Sequence, residues 1–190
     1  MPAFATHKAD FDMRMFVAVW PDDSTLKRLS LLELGSVEGV RLVRPGRWHI
    51  TLRFLGDVEE GLVPALVDAL GVAAERMAGP LQCEVGPSTA WFGGQRVLQL
   101  PIAGLDEAAE AVRLVTLPLV PDSNHGEGPF TGHLTVARSK GRRHDASARA
   151  ALAGVPFAAS FGVDCFDLVA SQLSSEGPRY TTLASVSLRG

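Results

Sequence analysis

A histidine and a threonine two residues apart occur twice in this sequence, each time inside a run of β-forming residues. The first copy is HITL, beginning at His49, and the second is HLTV, beginning at His133, 84 residues later. Because side chains alternate between the two faces of a strand, each copy places its imidazole and its hydroxyl on one face and its aliphatic residues on the other. Two such strands can bury their aliphatic faces and direct both histidines, Thr51 and Thr135 into a shared groove.

These groups suit displacement at phosphorus without a metal ion. A neutral imidazole can accept a proton from the attacking water or hydroxyl, and a charged imidazole can donate a proton to the leaving oxygen. The ordinary histidine pKa of about 6.5 allows both forms at neutral pH, and each proton transfer typically contributes ~10²–10⁴-fold to the rate. The threonine hydroxyls can donate to non-bridging phosphate oxygens, and an arginine can balance developing charge.

Basic residues cluster beside both copies. The windows 41–53 and 138–143 each hold four basic residues and no acidic one. We interpret them as a local anion site, whereas the net charge of −3 argues against a protein that coats long nucleic acid. By simple alternation, Arg53 and Leu55 share the face of His49 and Thr51. The basic residues are Arg41, Arg44, Arg47 and Arg53 in the first window and Arg138, Lys140, Arg142 and Arg143 in the second.

Two other chemistries have less support in the sequence. No Asp, Glu or Cys stands beside both histidines, and the helical His-Glu-x-x-His spacing is absent, so a zinc site is a weaker alternative. A serine nucleophile would require a Gly-x-Ser-x-Gly turn, which is also absent. We therefore expect no metal ion and no other cofactor.

The chain is expected to form an α+β fold with antiparallel strand pairing, because helices punctuate small groups of strands. Residues 1–12 are expected to be a disordered leader, and residues 13–190 a single domain of two related lobes. The segment 117–130 holds three prolines and two glycines and is expected to be a loop. Strands are predicted near 13–20, 40–43, 47–56, 81–85, 96–102, 132–138, 157–161, 165–172 and 181–188, and helices near 22–34, 62–77, 105–115 and 145–153.

The expected compartment is the cytoplasm. The N-terminus has no basic region followed by an apolar stretch, and no run approaches the roughly 18 apolar residues of a membrane span. Cys83 and Cys165 lie far apart without a CxxC spacing, which is typical of reduced core thiols. We expect no membrane partner and, without a long exposed apolar stripe, a monomer.

The two motifs and their flanks resemble those of a known group of enzymes. HITLRFLG and HLTVAR are similar to the paired HxTx signatures of the two-histidine (2H) phosphoesterase superfamily. MRMFVAVWPDD and LVASQLSSEGPRYTTLASVSL resemble its RNA 2′,3′-cyclic phosphodiesterase branch, also called 2′-5′ RNA ligase, so that the resemblance spans residues 13–188. It implies a bilobal fold, each lobe an antiparallel sheet flanked by helices, with the motifs lining a central cleft.

The resemblance also implies an activity and a role for each motif residue. The activity is hydrolysis of a ribose 2′,3′-cyclic phosphate to a 2′-phosphate, and some members form or reverse a 2′-5′ linkage without ATP or metal. His49 and His133 are implied as the acid–base pair, with His133 as the general base and His49 as the general acid at O3′. Thr51, Thr135 and Arg138 are implied as phosphate-binding residues.

Several other side chains have two interpretations each. Arg138 and Phe54 fall by simple alternation on the face opposite their histidines, and reach the cleft only if the strand twists or ends before them. Phe54 is either a core residue or a contact for the nucleobase. Phe16 and Trp48 are core candidates, Trp91-Phe92 is a nucleobase platform or a seam between lobes, and His125 is uninvolved or lies in a loop that covers the substrate.

Two further functions remain open at this stage. One is a nucleotide- or RNA-binding module without turnover, although a binder has no need for an acid–base pair. The other is a cyclic phosphodiesterase for ADP-ribose 1″,2″-cyclic phosphate, because its chemistry at phosphorus is the same. The acidic balance and modest basic patch favour short RNA ends or nucleotides with a 2′,3′-cyclic phosphate over a long duplex.

Overall fold

The computed structural model of the protein describes residues 12–77, 79–92, 96–122, 129–139, 150–175 and 177–188. His125, most of the predicted leader and most of the helix predicted near 145–153 lie outside these ranges, as do Lys140, Arg142 and Arg143. No helix within them is long and apolar enough to cross a membrane.

Three α-helices and ten strands lie in the described ranges. Every helix and strand predicted there is confirmed within a few residues, and one short strand, β5, was not predicted. The helices are α1 (Asp23–Ser30), α2 (Val63–Glu75) and α3 (Asp106–Thr116). The strands are β1 (Asp12–Val19), β2 (Val40–Leu42), β3 (Ile50–Glu59), β4 (Leu81–Val85), β5 (Ala90–Phe92), β6 (Val97–Ala103), β7 (His133–Ser139), β8 (Ala159–Val163), β9 (Cys165–Ser174) and β10 (Gly177–Ser187).

The helix boundaries follow from their terminal residues. The carboxylate of Asp22 caps α1 by accepting from the Thr25 backbone N–H at 2.8 Å. That hydrogen bond also lowers the pKa of the Asp22 carboxyl. In α2, Pro64 occupies the first turn, where a missing backbone N–H costs nothing.

All strand pairs are antiparallel, and the path of pairing runs β10-β9-β1-β3-β7-β6-β4-β8, with β2 on β7 and β5 on β6. The two motif strands, β3 and β7, are neighbours at the middle of this path. Four strands of the path lie on either side of their junction, which confirms the predicted α+β architecture of two lobes.

Alternate residues of β1 separate two apolar clusters. Met15, Val17 and Val19 belong to the main core, which continues under α2, α3 and both motif strands. Phe16 and Ala18 point to the other face, where they pack with Val169, Trp20 and Tyr180. The sheet is therefore apolar on both faces near the motifs, and the smaller cluster, Phe16, Ala18 and Val169, marks the cleft side.

Candidate active site

A β-bulge follows the threonine in both motif strands. In β3, the register with β1 skips Leu52, which directly follows Thr51. In β7, the register with β6 skips Val136, which directly follows Thr135. An extra residue in one strand reverses the alternation of faces beyond it. The two motifs therefore share a backbone irregularity as well as a residue pattern.

The bulge in β3 changes the faces expected from simple alternation. Arg53 and Leu55 are 7% and 4% exposed and turn to the core side, so the prediction that they share the face of the histidine is wrong. Phe54 instead lies opposite Phe16 on the cleft side, where 41% of it is exposed. The Arg14 guanidinium lies 5.8 Å from the centre of the Phe54 ring.

The bulge in β7 brings Arg138 to the cleft side in the same way. Arg138 is exposed and lines a cavity together with His49 and Thr135. Arg138 and Phe54 each lie five residues after a motif histidine, so the two bulges give them equivalent positions in the two lobes. Neither strand ends before these residues, and the bulges, which were not predicted, are what bring both side chains to the cleft side.

The pairing of β3 with β7 sets the two motifs side by side. Ile50 lies directly opposite Leu134 in the antiparallel register. The residues on either side of such a pair lie across from one another on the opposite face, with Cβ atoms roughly 4.5–5.5 Å apart for direct partners. His49 therefore lies across from Thr135, and Thr51 across from His133.

Both imidazoles are held by the same local contact. Nδ1 of His49 lies 2.8 Å from the Arg47 carbonyl oxygen, and Nδ1 of His133 lies 2.8 Å from that of Thr131. A carbonyl oxygen only accepts, so each Nδ1 carries the hydrogen and donates. In the neutral ring, Nε2 is then the free acceptor, and in the charged ring Nε2–H is the free donor. Each histidine can therefore accept or donate a proton at Nε2.

Aromatic rings surround His49. The ring centres of Phe16 and Tyr180 lie 5.0 Å from that of His49, and the Trp20 centre lies 5.4 Å away. Burial among them lowers the pKa of His49 to about 4, because a charged imidazole loses its hydration there. The Arg47 carbonyl opposes this shift, and the positive charges of Arg138 and His133 add to it. His49 is therefore neutral at pH 7 in the absence of an anion.

His133 has a more open environment. One aromatic ring, that of Phe92 at the end of β5, packs against it with ring centres 5.1 Å apart. Phe92 is 38% exposed, so part of its ring remains available beside the imidazole. The two histidines thus share a hydrogen-bonding pattern but differ in burial.

A cavity of about 120 Å³ opens beside His49. Three arginines contribute to its wall, and none of the described residues that line it is acidic. Arg138 and Arg47 also act on Tyr180, whose hydroxyl pKa burial raises and these two charges partly lower. The lining residues are Arg41, Leu42, Val43, Arg47, His49, Thr135, Arg138, Pro178 and Tyr180.

Some residues of this site were not predicted from the sequence. Tyr180 and Trp20 reach His49 from β10 and from the end of β1, through strand pairings that no local motif signals. Phe16, predicted as core, is buried but packs on the imidazole rather than in the main core. Arg44 is exposed and is absent from the cavity wall, so only part of the first basic window contributes.

The donor set does not resemble a metal centre. Among the described residues, no three His, Cys, Asp or Glu side chains come together as metal ligands would. Cys83 is buried, and burial raises the pKa of its thiol to about 12. Cys165 is half-buried, and burial raises the pKa of its thiol to about 11.

Comparisons with known proteins give one family model and full-length relatives. The model described as LigT-like phosphoesterase matches residues 25–84, which include the first motif. An RNA 2′,3′-cyclic phosphodiesterase of Thermus thermophilus is 30% identical over 94% of this chain and 91% of the relative. Another protein of that name, from Archaeoglobus fulgidus, is 33% identical over 90% of this chain and 98% of its own length.

Solved structures share the whole fold. A crystal structure of a Thermus thermophilus protein matches with a TM-score of 0.77 and 29% identity, over 94% of this chain and 99% of its own. The structure of E. coli LigT complexed with NADP+ matches with a TM-score of 0.72 over 95% of this chain and 99% of its own. At 24% identity, this second likeness concerns the fold alone.

Proposed function

The chain belongs to the LigT-like phosphoesterase family, and we propose that its cleft hydrolyses ribose 2′,3′-cyclic phosphates at RNA ends to 2′-phosphates without a metal ion. The observation that carries the proposal is the pair of imidazoles beside the Ile50–Leu134 junction, each with Nδ1 on a carbonyl, which leaves Nε2 as the nitrogen that can exchange a proton. An acid and a base on opposite sides of one phosphorus atom are what an in-line displacement requires.

The reaction moves one proton at each histidine. His133 Nε2 accepts a proton from water as the water oxygen bonds to phosphorus. The bond from phosphorus to O3′ breaks, and His49 Nε2–H donates its proton to O3′. The products are a 2′-phosphomonoester and a free 3′-hydroxyl. Exchange with solvent then returns His133 to the neutral form and His49 to the charged form. The reverse direction would close the 2′-phosphate onto the 3′-hydroxyl and release water.

His49 can act as the acid although it is neutral in the empty cavity. At a separation of about 4 Å and an effective dielectric constant of about 20, a bound anion favours the charged imidazole by ~4 kcal/mol, or ~3 pKa units. That shift would return the pKa of His49 from about 4 towards neutrality. The substrate would thus supply the negative charge that protonates its own general acid.

The remaining site residues would bind the cyclic phosphate and its base. Thr135, across from His49, and Thr51, across from His133, can each donate a hydroxyl hydrogen to a non-bridging oxygen. Arg138 can neutralise the charge that develops on those oxygens. Phe54 offers a partly exposed ring on the cleft side on which a nucleobase could stack.

The test is a phosphorus NMR time course with adenosine 2′,3′-cyclic phosphate in excess EDTA. The expected product is the 2′-monophosphate, because the proposed acid protonates O3′. Formation of the 3′-monophosphate would instead indicate that His49 is the base and His133 the acid. Loss of activity in EDTA would exclude metal-free chemistry.

Single variants of the two histidines complete this test. H49A and H133A should each lose roughly 10²–10⁴-fold in kcat, and the double variant should lose little more, because residues that act as a unit are not additive. Circular dichroism should show all three folded. A single variant with full activity would rule out the two-histidine mechanism.

A further inference from the structure

Arg41 and Arg138 face each other directly across the β2–β7 pair. Like charges at directly opposite positions on one face of a sheet destabilise it. Arg47 lines the same cavity. Guanidinium groups bind phosphate through paired, charge-assisted hydrogen bonds, so a wall with three arginines favours anionic ligands.

The number of arginines exceeds what the cyclic phosphate needs. A cyclic phosphodiester carries one negative charge, and the proposed reaction assigns one arginine, Arg138, to it. Arg41 and Arg47 add two further guanidiniums, and none of the described residues on the cavity wall is acidic. Guanidiniums at three positions on one cavity wall can contact more than one phosphate group.

The cavity also extends in one direction from the reacting centre. His49 and Thr135 line it, whereas His133 and Thr51 do not. With His49 as the acid at O3′, the ribose lies on the His49 side of the phosphorus. The cavity therefore lies on the side from which the RNA chain continues through the 5′-oxygen of the terminal nucleotide.

The guanidinium of Arg47 packs against the backbone at Gly177. A Cβ atom at Gly177, whose φ is +104°, would lie 2.6 Å from a terminal nitrogen of the Arg47 guanidinium. The first residue of β10 thus leaves room for Arg47 against the backbone. Pro178 and Tyr180 of the same strand then complete the wall.

We propose that Arg41 and Arg47 form a second phosphate subsite, which binds the phosphate on the 5′ side of the nucleotide that carries the cyclic phosphate. The inference rests on the proposed function, and it defines the preferred substrate as an RNA end or a 5′-phosphorylated nucleotide rather than a nucleoside cyclic phosphate. A phosphodiester within RNA and a terminal 5′-phosphate present the same chemistry at this position. A comparison of substrates that carry one or the other distinguishes the two.

The experiment compares kcat/KM for three substrates in the wild type and in four variants. The substrates are adenosine 2′,3′-cyclic phosphate, its 5′-phosphorylated form, and the dinucleotide ApA with a terminal 2′,3′-cyclic phosphate. The wild type should prefer both substrates with a 5′-phosphate by roughly tenfold to a hundredfold, as for hydrogen bonds to charged groups. R41Q and R47Q should lose most of this preference, R41K should regain part of it, and R44Q, which removes the same charge outside the cavity, should keep it.

Three results would overturn the subsite. In one, R41Q and R47Q lower kcat/KM equally for all three substrates, which would assign both arginines to the cyclic phosphate itself. In another, R44Q has the same effect, which would indicate a general electrostatic attraction. In the third, only the dinucleotide is preferred, which would indicate contact with the second nucleoside rather than with phosphate.

Binding separates this inference from the proposed function. If the wild type turned over none of the substrates, the proposed function would fail, and the subsite would be judged by calorimetric titration with adenosine 2′-monophosphate and adenosine 2′,5′-bisphosphate. The bisphosphate should bind roughly tenfold or more tightly to the wild type and to R44Q, and that advantage should shrink in R41Q and R47Q. Equal affinities for both ligands in the wild type would reject the subsite.

Discussion

Ile50 lies directly opposite Leu134 where β3 meets β7, and each side chain is fully buried in the main core. This pair joins the two lobes one residue away from both motif histidines. The separation of the two imidazoles therefore depends on how these two aliphatic side chains pack beneath the cleft. Packing in the core and geometry at the site are linked at this point of the sheet.

The first prediction concerns that link. Leu134→Ala should lower the free energy of unfolding by about 2–5 kcal/mol, because it leaves a cavity in a close-packed core. It should also lower kcat, since a small displacement of a catalytic group is costly. Urea denaturation and steady-state kinetics would measure the two effects.

Leu70→Ala is the matched control, because Leu70 is equally buried but belongs to helix α2 rather than to either motif strand. It should lose comparable stability and keep its kcat at temperatures where it is folded. Equal losses of kcat in both variants would show that Ile50 and Leu134 have no special effect on the site.

The sequence predicted the elements well because the hydrophobic periodicities in this chain are regular. Polar and apolar residues alternate in the first half of β1 and in β7 up to its bulge, and α2 repeats its buried residues at helical spacing. The two motif histidines and their threonines were predicted to face one shared cleft, and the register of β3 with β7 accounts for that placement. Local pattern was sufficient for these features.

The bulges and the aromatic surroundings of His49 could not be predicted in the same way. Nothing in HITLRF marks Leu52 as the extra residue, so Arg53 was predicted on the wrong face. Tyr180 follows His49 by more than a hundred residues and reaches it only through the pairing of β10 with β9 and β9 with β1. Both features depend on register between distant strands, which residue spacing within one strand does not encode.

A second prediction follows from the corrected position of Arg53. Its guanidinium is buried and donates to the Val120 carbonyl at 2.6 Å and to the Asp122 carboxylate at 2.9 Å. Asp122→Ala should lower the free energy of unfolding by about 3–5 kcal/mol, because it leaves an uncompensated buried charge. The exposed pair of Arg14 and Asp57 is the control, and Asp57→Ala should cost less than about 1 kcal/mol. If urea denaturation gave similar losses of unfolding free energy for Asp122→Ala and Asp57→Ala, burial of the Arg53 charge would have no extra effect on stability.

A third prediction tests Phe54 as a stacking surface. Phe54→Ala should raise KM for adenosine 2′,3′-cyclic phosphate by roughly fivefold to a hundredfold, the range expected when a base loses an aromatic partner. The kcat should change little, because the ring does not touch the reacting atoms. Phe54→Trp should restore the low KM, since a larger ring retains the stacking face. A loss confined to kcat would instead indicate that Phe54 positions neighbouring residues of β3.

A fourth prediction concerns stability and pH. The pKa of His49 is about 4 in the folded chain against 6.5 in the unfolded one, so the unfolded chain takes up a proton first as the pH falls. The contribution of this group to stability is complete above pH 6.5 and is lost between pH 6.5 and 4, by about 1–3 kcal/mol. His49→Gln should therefore show a shallower fall in the free energy of unfolding across this window. Parallel curves for the two proteins in urea denaturation would contradict the low pKa.

The final prediction is that anion binding takes up a proton at His49. Sulfate is a suitable probe at pH 6, because it does not titrate near that pH and its oxygens resemble those of phosphate. Binding beside His49 should raise the pKa of the imidazole from about 4 towards neutrality, so most of one proton should enter with the sulfate that binds there. Calorimetric titrations in buffers of different ionisation enthalpy would measure this uptake, and His49→Gln should abolish it while still binding sulfate through the arginines. Sulfate binding without proton uptake in the wild type would mean that His49 stays neutral beside an anion, and would favour His49 as the base and His133 as the acid.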